Sequence, residues 1–259
     1  MIFLQGGFPH ILDEITELLV SAPTVISKEW QGVEKDIPMK ELRNVIFEVD
    51  LRKSEDIAYY QSQIGPNLPW ADEHFLERIS GHPLNPAPSW TRWPYALSAN
   101  RFQETKFEHT YPELYWPKYK GHGEKGKLNR KAMGDIRFYQ KDAYPNEVGD
   151  LQDVIEQLKE NPTTRQAYFP LFGPEFTGPT RGKRKPCSLG YHFLVRNDLL
   201  HCHYDMRSVD FKRHMRDDLY LTVRLMIFVL ETLRSTDADQ WDKVSMGTLS
   251  FRATSLHEF

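Results

Sequence analysis

The stretch Cys187-Ser188-Leu189-Gly190-Tyr191-His192-Phe193-Leu194-Val195-Arg196-Asn197-Asp198-Leu199-Leu200-His201-Cys202-His203-Tyr204-Asp205-Met206-Arg207-Ser208 decides the fold. Leu189, Tyr191, Phe193 and Val195 alternate with other residues, and so do Leu200, Cys202, Tyr204 and Met206. That period belongs to half-buried strands, and Asn197-Asp198 between them is a hairpin turn signal. With a two-residue turn, residue 196 pairs with 199, and counting outward sets Cys187 opposite Ser208. A candidate thiolate nucleophile thus meets a candidate phosphate clamp, Arg207-Ser208. In an unbroken ladder Arg207 would point to the other face, so the ladder must be broken near it to bring arginine and thiol together.

At 259 residues, 40% apolar and 13% aromatic, the chain can bury a substantial core in one large domain or two small ones. A net charge of −3 argues against general attraction to nucleic acid. Arg181, Lys183, Arg184 and Lys185 nevertheless form a local basic cluster before Cys187, either a solvated loop or a polyanion contact. The longest apolar run, Leu219 to Leu233, is interrupted by Arg224 and too short to cross a bilayer, and no signal segment opens the chain, so a cytoplasmic location is expected. In the hairpin register Cys202 pairs with residue 193, about 20 Å from Cys187 along the strand. Both cysteines are therefore expected to be free thiols.

Outside the hairpin, Pro9, Ile11, Leu12, Ile15, Leu18 and Leu19 predict an amphipathic helix ending before Pro23. Val45, Phe47, Val49 and Leu51 predict a strand, and about Asp72 to Ile79 a short helix. Residues 82–135, with Pro83, Pro86, Pro88, Pro94 and several tryptophans, read as a long irregular aromatic excursion. Within it, Gly121, Gly123 and Gly126 among lysines are either a phosphate-cradling loop or a surface loop. Val148 to Leu158 predicts a helix ended by Asn161-Pro162, Ala167 to Phe172 a strand, Leu219 to Arg234 a buried helix beginning at Asp217-Asp218, and Val244 to Phe251 a strand.

The ordered set resembles the thymidylate synthase family, and within it the deoxycytidylate hydroxymethylase branch. Its members here are Asn161-Pro162-Thr163-Thr164-Arg165, Pro186-Cys187, Arg207-Ser208-Val209-Asp210, Arg216-Asp217-Asp218 and Ser255-Leu256-His257, spread over residues 148–259. The resemblance implies an α/β (α+β) single domain, residues 1–259, on a large mixed sheet with flanking helices, dimerised through that sheet. It implies transfer of a one-carbon unit from 5,10-methylenetetrahydrofolate to C5 of a pyrimidine nucleoside monophosphate. Cys187 would add to C6 and turn C5 into a carbon nucleophile.

Arg207 and Ser208 would then hold the 5′-phosphate, with Arg165 reaching it from the partner of a homodimer. The family normally has two adjacent arginines where this chain has Arg165-Gln166, and the early loop around Trp30-Gln31-Gly32 lacks a further one. Asp218 stands where uracil-using members carry asparagine and cytosine-using members aspartate; a carboxylate accepts from the cytosine amine, which favours dCMP or CMP. As an N-cap it would have a structural role as well. His257 would bind the sugar hydroxyl, with Phe259 in place of the usual tyrosine, and Asp210 would order the folate side. Glu73 is the preferred general acid-base glutamate, over Glu77, and Tyr139 is a further catalytic candidate. The chain stops at Phe259, short of the tail that closes over folate in the family, and greater water access is expected to favour a hydroxymethyl product. Competing expectations are a thymidylate synthase or dUMP hydroxymethylase with Asp218 protonated, and an inactive nucleotide-binding homologue.

Overall fold

The computed structural model describes residues 1–30, 33–96, 106–117, 149–177 and 184–259. The hairpin is present as β5 (Ser188–Arg196) and β6 (Leu199–Asp210), joined by Asn197 and Asp198 at φ 53° and 55°. Two consecutive positive φ values make the turn type that matches the twist of the flanking strands. Arg196 pairs with Leu199 and Phe193 with Cys202, as the two-residue turn requires.

The ladder does break. Gly190 pairs with Asp205 but Ser188 with Met206, so Leu189 is an extra residue on β5 and the next N–H, that of Arg207, bonds Cys187 O at 2.9 Å. The break required by the alternation is thus a bulge on the strand that follows Cys187, and Cys187 faces Arg207 instead of Ser208. Leu189 O accepts from Leu171 N and Phe172 N, just past the edge strand β4 (Tyr168–Pro170).

The remaining strands are β1 (Ile2–Gln5), β2 (Thr24–Trp30), β3 (Val33–Asp50) and β7 (Ser245–Glu258). The sheet runs β1-β3-β7-β6-β5-β4, with β2 also on β3; β1/β3 and β6/β7 are parallel and the other pairs antiparallel. The fold is therefore the mixed α/β class expected. Helices α1 (Phe8–Ser21), α2 (Ile57–Ile64), α3 (Trp70–Arg78), α5 (Leu151–Glu160) and α6 (Arg216–Thr236) join the sheet in the core, with α4 (Tyr111–Tyr115) in the proline-rich excursion. The excursion is less irregular than expected in its described parts, since Pro88–Arg92 forms a 3-10 turn and Thr110 and Glu113 close a capping box on α4.

Burial follows the period-2 pattern: Phe47 stacks on Phe251 at 4.7 Å and Tyr191 on Tyr204 at 4.4 Å, beneath Leu219, Val223, Met226 and Leu230 of α6. α6 starts earlier than a cap at Asp217-Asp218 implies. A π-turn at Phe211–Met215 precedes it and Met215 takes the cap position without a side-chain bond, so Asp217 and Asp218 lie inside the first turn. Among the described residues no helix is long and apolar enough to cross a membrane.

Gly190 completes the bulge. A Cβ there would stand 2.6 Å from Tyr168 Oη and 2.7 Å from Phe169 O, and the latter is backbone that cannot swing away. Gly190→Ala is expected to cost about 1–3 kcal/mol through overpacking. Urea unfolding checks this; a midpoint unchanged from the parent would show that β4 can retreat from the bulge.

Candidate active site

The bulge presents Cys187 to a cavity of about 170 Å³ between the hairpin, α3, residues 87–93 and 107–111, and the start of α6. Arg207 Nη2 lies 3.9 Å from Cys187 Sγ and Ser208 Oγ 3.8 Å from it. The guanidinium is fixed by Nε to Pro186 O (2.8 Å), Nη2 to Lys185 O (3.0 Å) and Nη1 to Ser208 Oγ (3.1 Å). Three residues singled out from sequence are thus together, with the cation locked beside the sulfur. Next along β5, buried Ser188 Oγ bonds Tyr204 Oη at 2.6 Å and Tyr111 Oη at 3.0 Å, which ties α4 to the hairpin.

Asp217 and Asp218 begin α6 side by side and do different things. Asp217 accepts from Asn67 N at 2.7 Å and Asn67 Nδ2 at 2.8 Å, anchoring the loop before α3. Asp218 lines the cavity, and its carboxylate takes no hydrogen bond from the described residues. Burial pushes its pKa up to about 7; Arg78 opposes the rise and Asp217 adds to it. Arg78 is itself buried, with its guanidinium 4.1 Å from the Tyr111 ring centroid. Asp210 also reaches the cavity, where its carboxylate accepts from Arg213 N at 3.0 Å and caps the π-turn; burial raises its pKa.

Other candidates are not brought to this place. Glu73 turns away: Arg92 Nε donates to it at 2.6 Å, and its side chain is 35% exposed. The cause is helical geometry, because Trp70, His74 and Arg78 form the cavity-facing row of α3 and Glu73 is rotated about 100° from it. Glu77, the other glutamate weighed, accepts from Ser89 N and Ser89 Oγ, both at 2.5 Å. His257 pairs across the sheet with Glu41 and Asp210 but does not line the cavity; its Nδ1 is buried without a partner among the described residues, and burial lowers its pKa to about 4. Arg165 is exposed next to β4, away from its own chain's cavity. Tyr139, Arg181, Lys183 and the glycines at 121, 123 and 126 lie outside the described residues.

Residues that sequence reading passed over complete the cavity. Trp70, Trp90 and Trp93 form an aromatic wall; His74 stacks on Trp70 at 4.9 Å and His214 on Trp93 at 4.9 Å. The three indole N–H groups are buried without acceptors among the described residues. Flat aromatic faces suit a planar heterocycle, so the wall fits a pterin or a pyrimidine. The i, i+4, i+8 spacing of Trp70, His74 and Arg78 was the available signal.

The comparison with known families agrees with this geometry. A family model described as thymidylate synthase matches residues 88–216, from the 3-10 turn through Cys187, Arg207 and Ser208 to the start of α6. Asp218 and His257 lie beyond the matched range. A search of curated proteins found no match. Cys187, Arg207 and Ser208 therefore lie in a stretch that matches the thymidylate synthase family model, and this match supports a one-carbon transferase.

Proposed function

We propose that the protein is a pyrimidine nucleotide 5-hydroxymethylase acting on dCMP or CMP. The observation that carries this reading is the cavity-facing carboxylate of Asp218, free of donors among the described residues and set in the same cavity as Cys187. An ionised carboxylate accepts hydrogen bonds only, so it matches the exocyclic amine of cytosine and has no donor for the O4 of uracil. The hydroxymethyl product goes with this base choice in the branch that the motif set resembles.

Cys187 adds to C6, Arg207 and Ser208 hold the 5′-phosphate, and Asp218 accepts from N4. Methylenetetrahydrofolate, which the family normally uses, would supply the one-carbon unit as an electrophile, with Trp70, Trp90 and Trp93 as the wall for its planar ring and Asp210 ordering that side. In a homodimer, Arg165 from a second copy would add charge at the phosphate, and His257 would reach the sugar after a shift of its strand end.

A second reading, a thymidylate synthase or dUMP hydroxymethylase, is favoured by the burial of Asp218. With a pKa raised to about 7, a protonated fraction exists at neutral pH and can donate to uracil O4. The two readings have opposite pH signs. Cytosine recognition needs the ionised form, so kcat/KM for dCMP should fall about tenfold per pH unit below about 7, while uracil use should rise there. Asp218→Asn, which adds a donor, should lower kcat/KM for dCMP by about 10- to 100-fold and raise that for dUMP. A preference for dUMP unaltered by this substitution would exclude the base-reading role.

Release of tritium from C5 of labelled dCMP, CMP and dUMP, with methylenetetrahydrofolate, tests the reaction itself. Label is expected from dCMP or CMP, and Cys187→Ser should abolish release while nucleotide still binds. No release from any nucleotide would refute the assignment; release from dUMP alone would refute the cytosine choice. Iodoacetamide should label Cys187 and spare fully buried Cys202, whose thiol pKa burial raises strongly, and dCMP should protect Cys187. Peptide mass spectrometry reads both, and equal labelling of the two cysteines would contradict the arrangement.

A further inference from the structure

With Glu73 turned to the surface, the cavity needs another group to move protons, and α3 supplies one. His74 lines the cavity with its ring stacked on Trp70 at an interplanar angle of 15°. Its Nδ1 lies 3.2 Å from Glu77 Oε2, and both side chains are nearly buried, 12% and 11% exposed. Glu77 is held in turn by the Ser89 N–H and hydroxyl. Burial pushes the Glu77 pKa up, but its bonds to His74 and Ser89 pull it down further, so the carboxylate is ionised. Burial, assisted by Arg78, lowers the His74 pKa to about 4, so the ring is neutral near pH 7. An ionised carboxylate only accepts; the proton of the neutral ring therefore sits on Nδ1, and the lone pair on Nε2. Nε2 has no partner among the described residues and is not one of the sealed-off polar atoms. It is reachable from the cavity.

We propose that His74, oriented by Glu77, is the general base that takes the C5 proton during one-carbon transfer. This rests on the covalent reading above: Cys187 Sγ is bonded to C6, and C5 carries both the incoming carbon and its original hydrogen. The C5–H bond breaks, the proton goes to Nε2, and the electron pair is delocalised toward the substituent on C4. The imidazolium so formed stands against the Glu77 carboxylate, and it later passes its proton to water. Ionised Glu77 offsets the cost of charging a buried ring, which makes a weakly basic imidazole a competent base for this one step. Glu77 is a positioning residue, and Ser89 fixes it.

Tritium release from C5 of dCMP, CMP and dUMP by the full chain with methylenetetrahydrofolate is compared for the parent, His74→Ala, His74→Gln and Glu77→Gln. Both His74 variants should lose about 10²- to 10⁴-fold in kcat, with the nucleotide Kd within about threefold of the parent. Added imidazole should restore part of the His74→Ala rate, an effect that a merely structural role would not produce. Glu77→Gln should lose less. Nitrogen NMR of the parent should show the Nδ1–H tautomer, with that preference lost in Glu77→Gln, a readout independent of turnover. Parent-like release by His74→Ala, loss confined to KM without imidazole rescue, or an Nε2–H tautomer in the parent would each overturn the assignment. A parent inert toward every nucleotide would instead refute the covalent reading, and the base with it.

Discussion

Leu189 gives β5 one residue that β6 does not match, and the positions of Cys187, Arg207 and Ser208 follow from that mismatch. Side chains alternate strictly along a strand, so a regular ladder would pair Cys187 with Ser208 and send Arg207 to the opposite face. The bulge shifts Cys187 by one position and sets it against the arginine, whose donors then bind the carbonyls of Lys185 and Pro186. The freed Leu189 carbonyl is not wasted on a dry interior, because Leu171 and Phe172 N–H groups reach it. Gly190 lets β4 approach closely enough for this. Cys187, Arg207 and the edge strand are thus one mechanical unit.

The opposite wall is organised by charge in a low-dielectric setting. Adjacent aspartates at the start of α6 point about 100° apart, and only one finds donors among the described residues. Asp217 accepts from Asn67, whereas the Asp218 carboxylate faces the cavity, balanced between burial and Arg78. Burial also keeps His74 and His214 neutral, at about 4 and about 3. Near pH 7 the aromatic wall consequently presents neutral imidazoles, while the arginine, lysine and aspartate side chains lining the cavity are Arg78, Arg184, Lys185, Asp210, Asp217 and Asp218.

What was legible in the sequence depended on whether one residue type in one period answered the question. The hairpin, α1, α5 and α6 declare themselves because apolar residues repeat at 2 or about 3.6 along each, and the bulge was demanded by the conflict between alternation and a useful Arg207. β2 and the first half of β3 gave no such signal: Pro38 pairs with Ile26 there, in a stretch rich in charge that stands at the edge beside β7's end. The His74 site was missed for a different reason. A carboxylate was sought on α3, and two were found straddling the residue that occupies the cavity-facing row. Glu73 and Glu77 differ in fate through one helical step: the first meets Arg92 at the surface, and the second lies one turn along from His74 and supports it.

Both walls are held in register through α6. Asp72 of α3 accepts from Tyr220 Oη at 2.6 Å and pairs with Arg224, while Gln61 of α2 donates to the same tyrosine at 2.8 Å. Three helices are therefore locked at the turn of α6 that follows Asp217 and Asp218. The buried face of α6, in turn, rests on β6 and β7, the strands that carry Arg207, Ser208 and His257. An ion pair that is only partly buried contributes little to stability by itself. Its consequence here is geometric, because it fixes α3's row of Trp70, His74 and Arg78 at a set distance from the bulged strand. Proton transfer tolerates errors of well under an ångström, so the site needs this indirect route from helix to sheet as much as it needs the groups themselves.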